Sequence, residues 1–298
     1  MVSLKGIFPP LPTSFNEADE LHTDKIKSNI EMLTRFNLAG FLILGSNGEL
    51  VMLNHEEKVK AYNAAREAIG TDKVMLAGTG SESTRETIRL TTAAAHAGAD
   101  AVLVLNPSYY KGLMTTEALR AHYHSVAEAS LVPVIIYNMP ANTGMDMSAD
   151  QIVVIADHPN IIGMKDSGGN VVKMGDILRQ VKPGFQILAG SAGFLLPALA
   201  MGAVGGILAL ANIAPAQCIA IYDAFMKGDM AAARDIQHRM IPVNAAVTAR
   251  WGVPALKAAM DYLGLYGGPA RKPIQPINED VRQQVIKLLT DNRITFKN

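Results

Sequence analysis

Ile161-Ile162-Gly163-Met164-Lys165-Asp166-Ser167 is the stretch from which the rest of the chain can be read. Its first four residues are uncharged and mostly apolar, the composition of a parallel strand covered on both faces. A lysine then appears, followed at once by the small polar turn Ser167-Gly168-Gly169-Asn170. An ammonium group at the end of a buried strand is costly unless it is paired or has lost its proton. A desolvated, neutral lysine amine is what imine formation with a carbonyl compound requires. The competing reading is a structural lysine paired with Asp166 or another carboxylate. The strand alone favours the structural reading; its surroundings reverse that.

Outward from this strand the same pattern repeats: an apolar run, a small polar end, then a capped helix. Before it come strands over 6–13, 40–45, 74–77, 101–105 and 133–136; after it come strands over 186–189 and 206–210. Between them, Asn54 with Glu57 and Ser148 with Gln151 have the spacing of capping boxes, and Ser83 with Glu86 opens a further helix. Thr23 is the expected N-cap of the first helix, whose inner face carries Ile26, Ile30 and Leu33. Eight strand-then-helix units argue for an α/β fold with a parallel sheet closed into a (β/α)8 TIM barrel. The competitor, a doubly wound pair of domains, lacks a boundary in composition. The expected division is a catalytic barrel over 1–225 and a C-terminal helical extension over 226–298, read as helices only.

A chain of 298 residues with 49% hydrophobic and 18% charged side chains has enough apolar surface for a large core. Lys+Arg and Asp+Glu balance at 27 each, so nothing points to nucleic acid or an anionic membrane. Cys218 is the single cysteine, which excludes an internal disulfide and suits a reducing compartment. Prolines interrupt the N-terminus before a signal-peptide core could form. The uncharged run between Lys182 and Asp223 is broken by glycines and prolines into strand and helix lengths, so it reads as buried core and not as a membrane span. A cytoplasmic location is expected.

In a barrel of this kind the chemistry lies at the C-terminal ends of the strands. Those ends carry Ser46, Asn47, Thr79, Tyr109, Tyr110, Tyr137, Asn142, Lys165, Ser167, Ser191 and Asn212: hydroxyls and amides around one lysine. This set suits a small carbonyl substrate bearing a carboxylate. No HExxH or cysteine pair appears, and His122 and His124 point to different faces of a helix, so no metal site is expected. Gly78-Thr79-Gly80 is only a fragment of a nucleotide-binding motif. Tyr137 ends the strand before the lysine strand, so the two tips should be neighbours, where a phenol could move protons.

At these residues the chain resembles the dihydrodipicolinate synthase/N-acetylneuraminate lyase family. The stretches are Gly45-Ser46-Asn47-Gly48-Glu49, Tyr137-Asn138-Met139-Pro140 and Gly163-Met164-Lys165-Asp166-Ser167. The resemblance implies a pyruvate-dependent class I aldolase that works through a Schiff base, with no cofactor and no metal. Lys165 is then the nucleophile and Tyr137 the general acid/base. Ser46 and Tyr109 complete a proton relay, the second tyrosine often coming from a neighbouring subunit. Ser46 and Asn47 hold the pyruvate carboxylate, and Ile207 presents its backbone carbonyl to the pyruvate site.

Within the family the likeness is greatest to the members that split 4-hydroxy-2-oxoglutarate, through Pro140-Ala141-Asn142-Thr143-Gly144 and Asn244-Ala245-Ala246-Val247-Thr248 among other stretches. Synthases that condense pyruvate with aspartate semialdehyde usually carry an arginine where this chain has Asn142. Asn142 and Ser167 are the residues expected to contact the second half of the substrate, a small aldehyde or oxo acid. A homotetramer, a dimer of dimers, is also implied by the resemblance.

Overall fold

The computed structural model describes residues 2–296. Eight strands form: β1 (Gly6–Phe8), β2 (Gly40–Ile43), β3 (Val74–Gly78), β4 (Ala101–Leu105), β5 (Val134–Asn138), β6 (Ile161–Asp166), β7 (Gln186–Ala189) and β8 (Gly205–Ile207). Every ladder is parallel, and the order runs β1-β8-β7-β6-β5-β4-β3-β2. Between β1 and β2 there is no full ladder. An isolated bridge pairs Pro10 with Leu42 through bonds from Leu42 N to Pro9 O (3.0 Å) and Leu11 N to Leu42 O (2.9 Å), and a further bond runs from Ala39 N to Ile7 O (3.0 Å).

The first strand is shorter than the 6–13 expected, because Pro9 and Pro10 have no N–H to give to a ladder. β8 likewise ends at Ile207 instead of running to 210: its partner β1 is spent, and a 3-10 turn (Ala209–Asn212) takes over. Asn212 fixes that turn by donating from Nδ2 to Pro10 O and Ala209 O, both at 3.0 Å.

Helices α1 (Thr23–Leu33), α2 (His55–Ala68), α3 (Thr84–His96) and α4 (Thr116–Ala129) follow β1 to β4. After β5 come a short helix, α5 (Pro140–Thr143), and α6 (Ala149–Ala156); α7 (Val171–Leu178), α8 (Leu195–Ala200) and α9 (Pro215–Met226) complete the ring. Both capping boxes form, at Asn54–Glu57 and Ser148–Gln151. Thr23 is not the N-cap of α1; His22 occupies that position without a side-chain bond. Beyond the barrel lie α10 (Met230–Ala245), a π-helical turn (Ala246–Arg250), α11 (Gly252–Tyr262) and α12 (Glu279–Asp291). This piece is not helices only: residues 263–278, rich in glycine and proline, form neither helix nor strand.

Alternation along each strand separates two cores. Phe8, Leu42, Leu76, Leu103, Ile135, Leu188 and Ile207 fill the barrel interior, and a larger cluster packs between sheet and helices. Each fully buried Leu, Ile or Phe contributes roughly 1.5–3 kcal/mol, so the barrel is a solid plug with only its rim free for chemistry. Among the described residues no helix is long and apolar enough to cross a membrane.

Candidate active site

Tyr137 and Lys165 are ladder partners at the C-terminal ends of β5 and β6, so their side chains leave the sheet on the same face. Both are buried, and Lys165 Nζ stands 4.2 Å from the centroid of the Tyr137 ring. Ser46 Oγ and Tyr137 Oη are 3.1 Å apart, within hydrogen-bonding distance. Burial alone would push the Tyr137 phenol up. The Lys165 charge, with hydrogen bonding to Ser46, Lys165 and Ser167, outweighs that and holds it below the ordinary tyrosine value.

The structural reading of Lys165 needs a carboxylate partner. Asp166, the nearest in sequence, is turned away and fully buried, and is taken by other groups. Asn138 Nδ2 donates to it at 2.8 Å, Gly168 N at 3.0 Å, and Lys173 Nζ lies 3.8 Å away. Lys173 in turn binds Asp146. Among the described residues Lys165 makes no ion pair with a carboxylate. Neither Lys173 nor Asp146 stood out in the sequence, since each sits on a different element and only the fold joins them.

The turn after β2 supplies the opposite side. Ser46–Gly48 form a single 3-10 turn flanked by two non-glycine residues in the left-handed region, Leu44 (φ 58°) and Glu49 (φ 56°). Such conformations are costly and persist only when surrounding contacts enforce them. On one side the Leu44 carbonyl lies against Gly78, where an added Cβ would stand 2.0 Å from it. On the other, Thr13 Oγ1 donates to Gly48 O at 2.5 Å, and the buried Glu49 carboxylate pairs with Lys257. The first amides of the turn, those of Ser46 and Asn47, have no carbonyl within the turn to bond.

These parts enclose a cavity of about 460 Å³. Of the residues expected from the sequence, Ser46, Asn47, Tyr137, Asn142, Lys165, Ser167 and Ser191 line it. Ser167 Oγ is packed against Gly190, where a Cβ would sit 2.1 Å from the hydroxyl. Asn142, on α5, also lines a smaller cavity of about 210 Å³ that meets the first at Ser46 and Tyr137. Thr79, Tyr110 and Asn212 do not line it, and neither do two residues given roles by the resemblance. Ile207 is fully buried in the barrel interior, and Tyr109 is 77% exposed in the loop after β4, its ring edge-on to Tyr110 at 5.0 Å.

The far wall comes from Met139, Ser191 and the segment around the π turn: Val247, Thr248, Gly252 and Val253. Asn244 Nδ2 donates to Ser191 Oγ at 3.0 Å and Thr248 Oγ1 to Asn244 O at 2.6 Å, fixing this wall to β7. Ser191 is expected at a strand end, but Val247, Thr248, Gly252 and Val253 could not be placed from strand ends, because they belong to the segment beyond the barrel. A signal did exist: Pro242 inside α10 weakens the helical ladder, and a π turn of the kind often found at functional sites follows it. Among the described residues no group of three or more His, Cys, Asp or Glu is arranged to hold a metal ion.

Comparison with known proteins gives this geometry a context. A profile of the dihydrodipicolinate synthetase family matches residues 3–292. A probable mitochondrial 4-hydroxy-2-oxoglutarate aldolase of Emericella nidulans is 37% identical, covering 92% of this chain and 91% of its own. A 4-hydroxy-tetrahydrodipicolinate synthase of Methanospirillum hungatei is 34% identical over 96% and 98% of the two chains. Among solved structures, a prophage protein of the dihydrodipicolinic acid synthase family from E. coli K12, in complex with pyruvate, superposes with a TM-score of 0.92. It is 30% identical and covers 98% of this chain and 100% of its own. The chain belongs to the dihydrodipicolinate synthetase family, and is with it an enzyme, a lyase acting on a carbon–carbon bond.

Proposed function

We propose that the enzyme cleaves 4-hydroxy-2-oxoglutarate reversibly into pyruvate and glyoxylate through a Schiff base on Lys165. The observation that carries this reading is the buried Lys165 amine, unpaired with any carboxylate among the described residues and 4.2 Å from the Tyr137 ring, in a cavity whose other polar lining residues are all uncharged hydroxyls and amides. In this mechanism the Ser46–Asn47 turn holds the C1 carboxylate, and Lys165 Nζ adds to the C2 ketone. Water leaves to give the protonated imine. Tyr137 takes the proton of the C4 hydroxyl, the C3–C4 bond breaks, and its electron pair passes into the imine as an enamine. Glyoxylate departs, the enamine is protonated at C3, and hydrolysis returns pyruvate and free Lys165. The imine is the electron sink, so the proposal includes neither cofactor nor metal.

Asn142 and Ser167 face the second half of the substrate in this reading. Tyr109, exposed in a single chain, serves the relay of a neighbouring copy, and Ile207 contributes only its backbone. A homotetramer belongs to the same proposal and is checked by light scattering. So does the cytoplasmic location, which rests on composition; the fungal relative is mitochondrial by name, and cell fractionation decides.

A second reading, 4-hydroxy-tetrahydrodipicolinate synthase, is favoured by the names of several relatives. Against it stands Asn142, a neutral side chain where a cationic fork would grip the aldehyde's carboxylate. Borohydride trapping with pyruvate, mapped by mass, tests the chemistry common to both: an adduct on Lys165 supports it, and none, or one on another lysine, removes it. Turnover with glyoxylate against aspartate semialdehyde then separates the two.

A further inference from the structure

The cavity turn is attached to the helices beyond the barrel by an ion pair buried from solvent on both sides. Glu49 and Lys257 are 3% and 1% exposed, with Oε1 and Nζ 2.7 Å apart. Glu49 Oε2 accepts the backbone N–H of Arg271 at 2.7 Å, and Lys257 Nζ also donates to Pro269 O at 2.6 Å. The Arg271 guanidinium is engaged separately, in a two-pronged bond to Glu57 at 2.7 and 2.8 Å. The Glu49 carboxylate therefore answers to Lys257 and one backbone amide.

Desolvating two charges seldom gains stability over an apolar pair of the same volume, so a buried pair is weak evidence for stability and better evidence for a fixed geometry. Here the geometry is identifiable. Glu49 closes the Ser46–Gly48 turn in a left-handed conformation that its own φ of 56° makes unfavourable. Lys257 sits on α11, the helix whose first residues, Gly252 and Val253, line the far wall of the same cavity. One pair thus joins the two walls of the cavity from behind.

We infer that the Glu49–Lys257 pair positions the carboxylate-holding turn, setting Ser46 and Asn47 at a fixed distance from Lys165, so that the helical extension tunes affinity for the 2-oxo acid. The inference rests on the role given above to the turn. Neither residue touches substrate; both are positioning residues.

The test uses the full-length protein with Glu49→Gln, close to isosteric, and Lys257→Met, each titrated with pyruvate under borohydride. Folding is checked by circular dichroism. The expected result is a rise of about tenfold in half-saturating pyruvate with the plateau of Lys165 adduct unchanged, a split that general loosening of the fold would not produce. Wild-type half-saturation in either folded variant overturns the inference, as does loss of folding in both, which would make the pair a stability element. If the wild type itself forms no adduct, the proposed chemistry fails first. Hydrogen exchange of the peptide covering residues 44–53, measured without substrate, then decides the positioning claim: faster exchange in Glu49→Gln confined to that peptide supports it, and unchanged exchange sinks it.

Discussion

Tyr137 and Lys165 face each other directly across the β5–β6 ladder, the amine 4.2 Å from the ring centroid, and the phenol is also within reach of Ser46 at 3.1 Å. One side chain thus touches both the nucleophile and the turn that closes the opposite wall. Tyr137→Phe keeps the packing and removes the proton carrier. Turnover should fall by about 10²–10⁴-fold, the range for losing a positioned acid–base group, while pyruvate trapping on Lys165 persists. Steady-state kinetics with 4-hydroxy-2-oxoglutarate checks this; near-normal turnover would give the proton transfer to another group.

Lys173 answers the fully buried Asp166, with Nζ 3.8 Å from Oδ2. Lys173→Met leaves that carboxylate to Asn138 and Gly168 alone. Removing one partner of a buried pair costs about 3–5 kcal/mol. Denaturant unfolding should show a loss of about 3 kcal/mol; a loss under 1 kcal/mol would mean that the two hydrogen bonds suffice.

His122 is 6% exposed, its Nδ1 2.9 Å from Thr84 Oγ1, and burial pushes its pKa down to about 4, with Glu82 opposing weakly. The folded value lies below the unfolded one, so between about pH 6.5 and 4 the unfolded chain holds the extra proton. Stability from this group is therefore complete above pH 6.5 and is lost as the pH falls towards 4, by roughly 3 kcal/mol at most. Urea unfolding at pH 7 and pH 4.5 should show a smaller drop in His122→Gln than in the wild type; equal drops would place the acid sensitivity elsewhere.

Asn142 lines the cavity and is the residue proposed above to face the second half of the substrate. Asn142→Arg adds a cation that can form a charge-assisted bond to an acceptor's carboxylate, worth about 1.5–3 kcal/mol. The ratio of kcat/KM for aspartate semialdehyde to that for glyoxylate should rise about tenfold or more. No change would remove Asn142 from the acceptor pocket.

How far the sequence could be read depends on the distance over which each feature is encoded. β6 and its lysine, β4, β7 and the two capping boxes follow from residues that are neighbours in the chain, and they form where expected. The barrel follows from their repetition. The lysine's lack of a carboxylate partner could not be read, because Asp146 and Lys173, which occupy Asp166 and its surroundings, meet only in the folded molecule. The far wall escaped for the same reason, since Thr248 and Val253 come from helices past the last strand. Tyr109 marks another limit: the loop after β4 carries it out to solvent in the single chain, so the residues that surround it in a neighbouring copy's relay, as proposed above, are not fixed by its own strand.

The clasp between β1 and β2 has a consequence for how the chain is made. Of the eight strands β1 is synthesised first, yet its ladder partner β8 is synthesised last. During synthesis β1 waits as an open edge, the condition under which strands recruit foreign chains. Three residues followed at once by Pro9-Pro10 make a poor template for such pairing, since the edge is short and the next two positions have no N–H to donate. The same prolines that leave the finished ring imperfectly stitched guard its nascent end against aggregation until the eighth strand arrives.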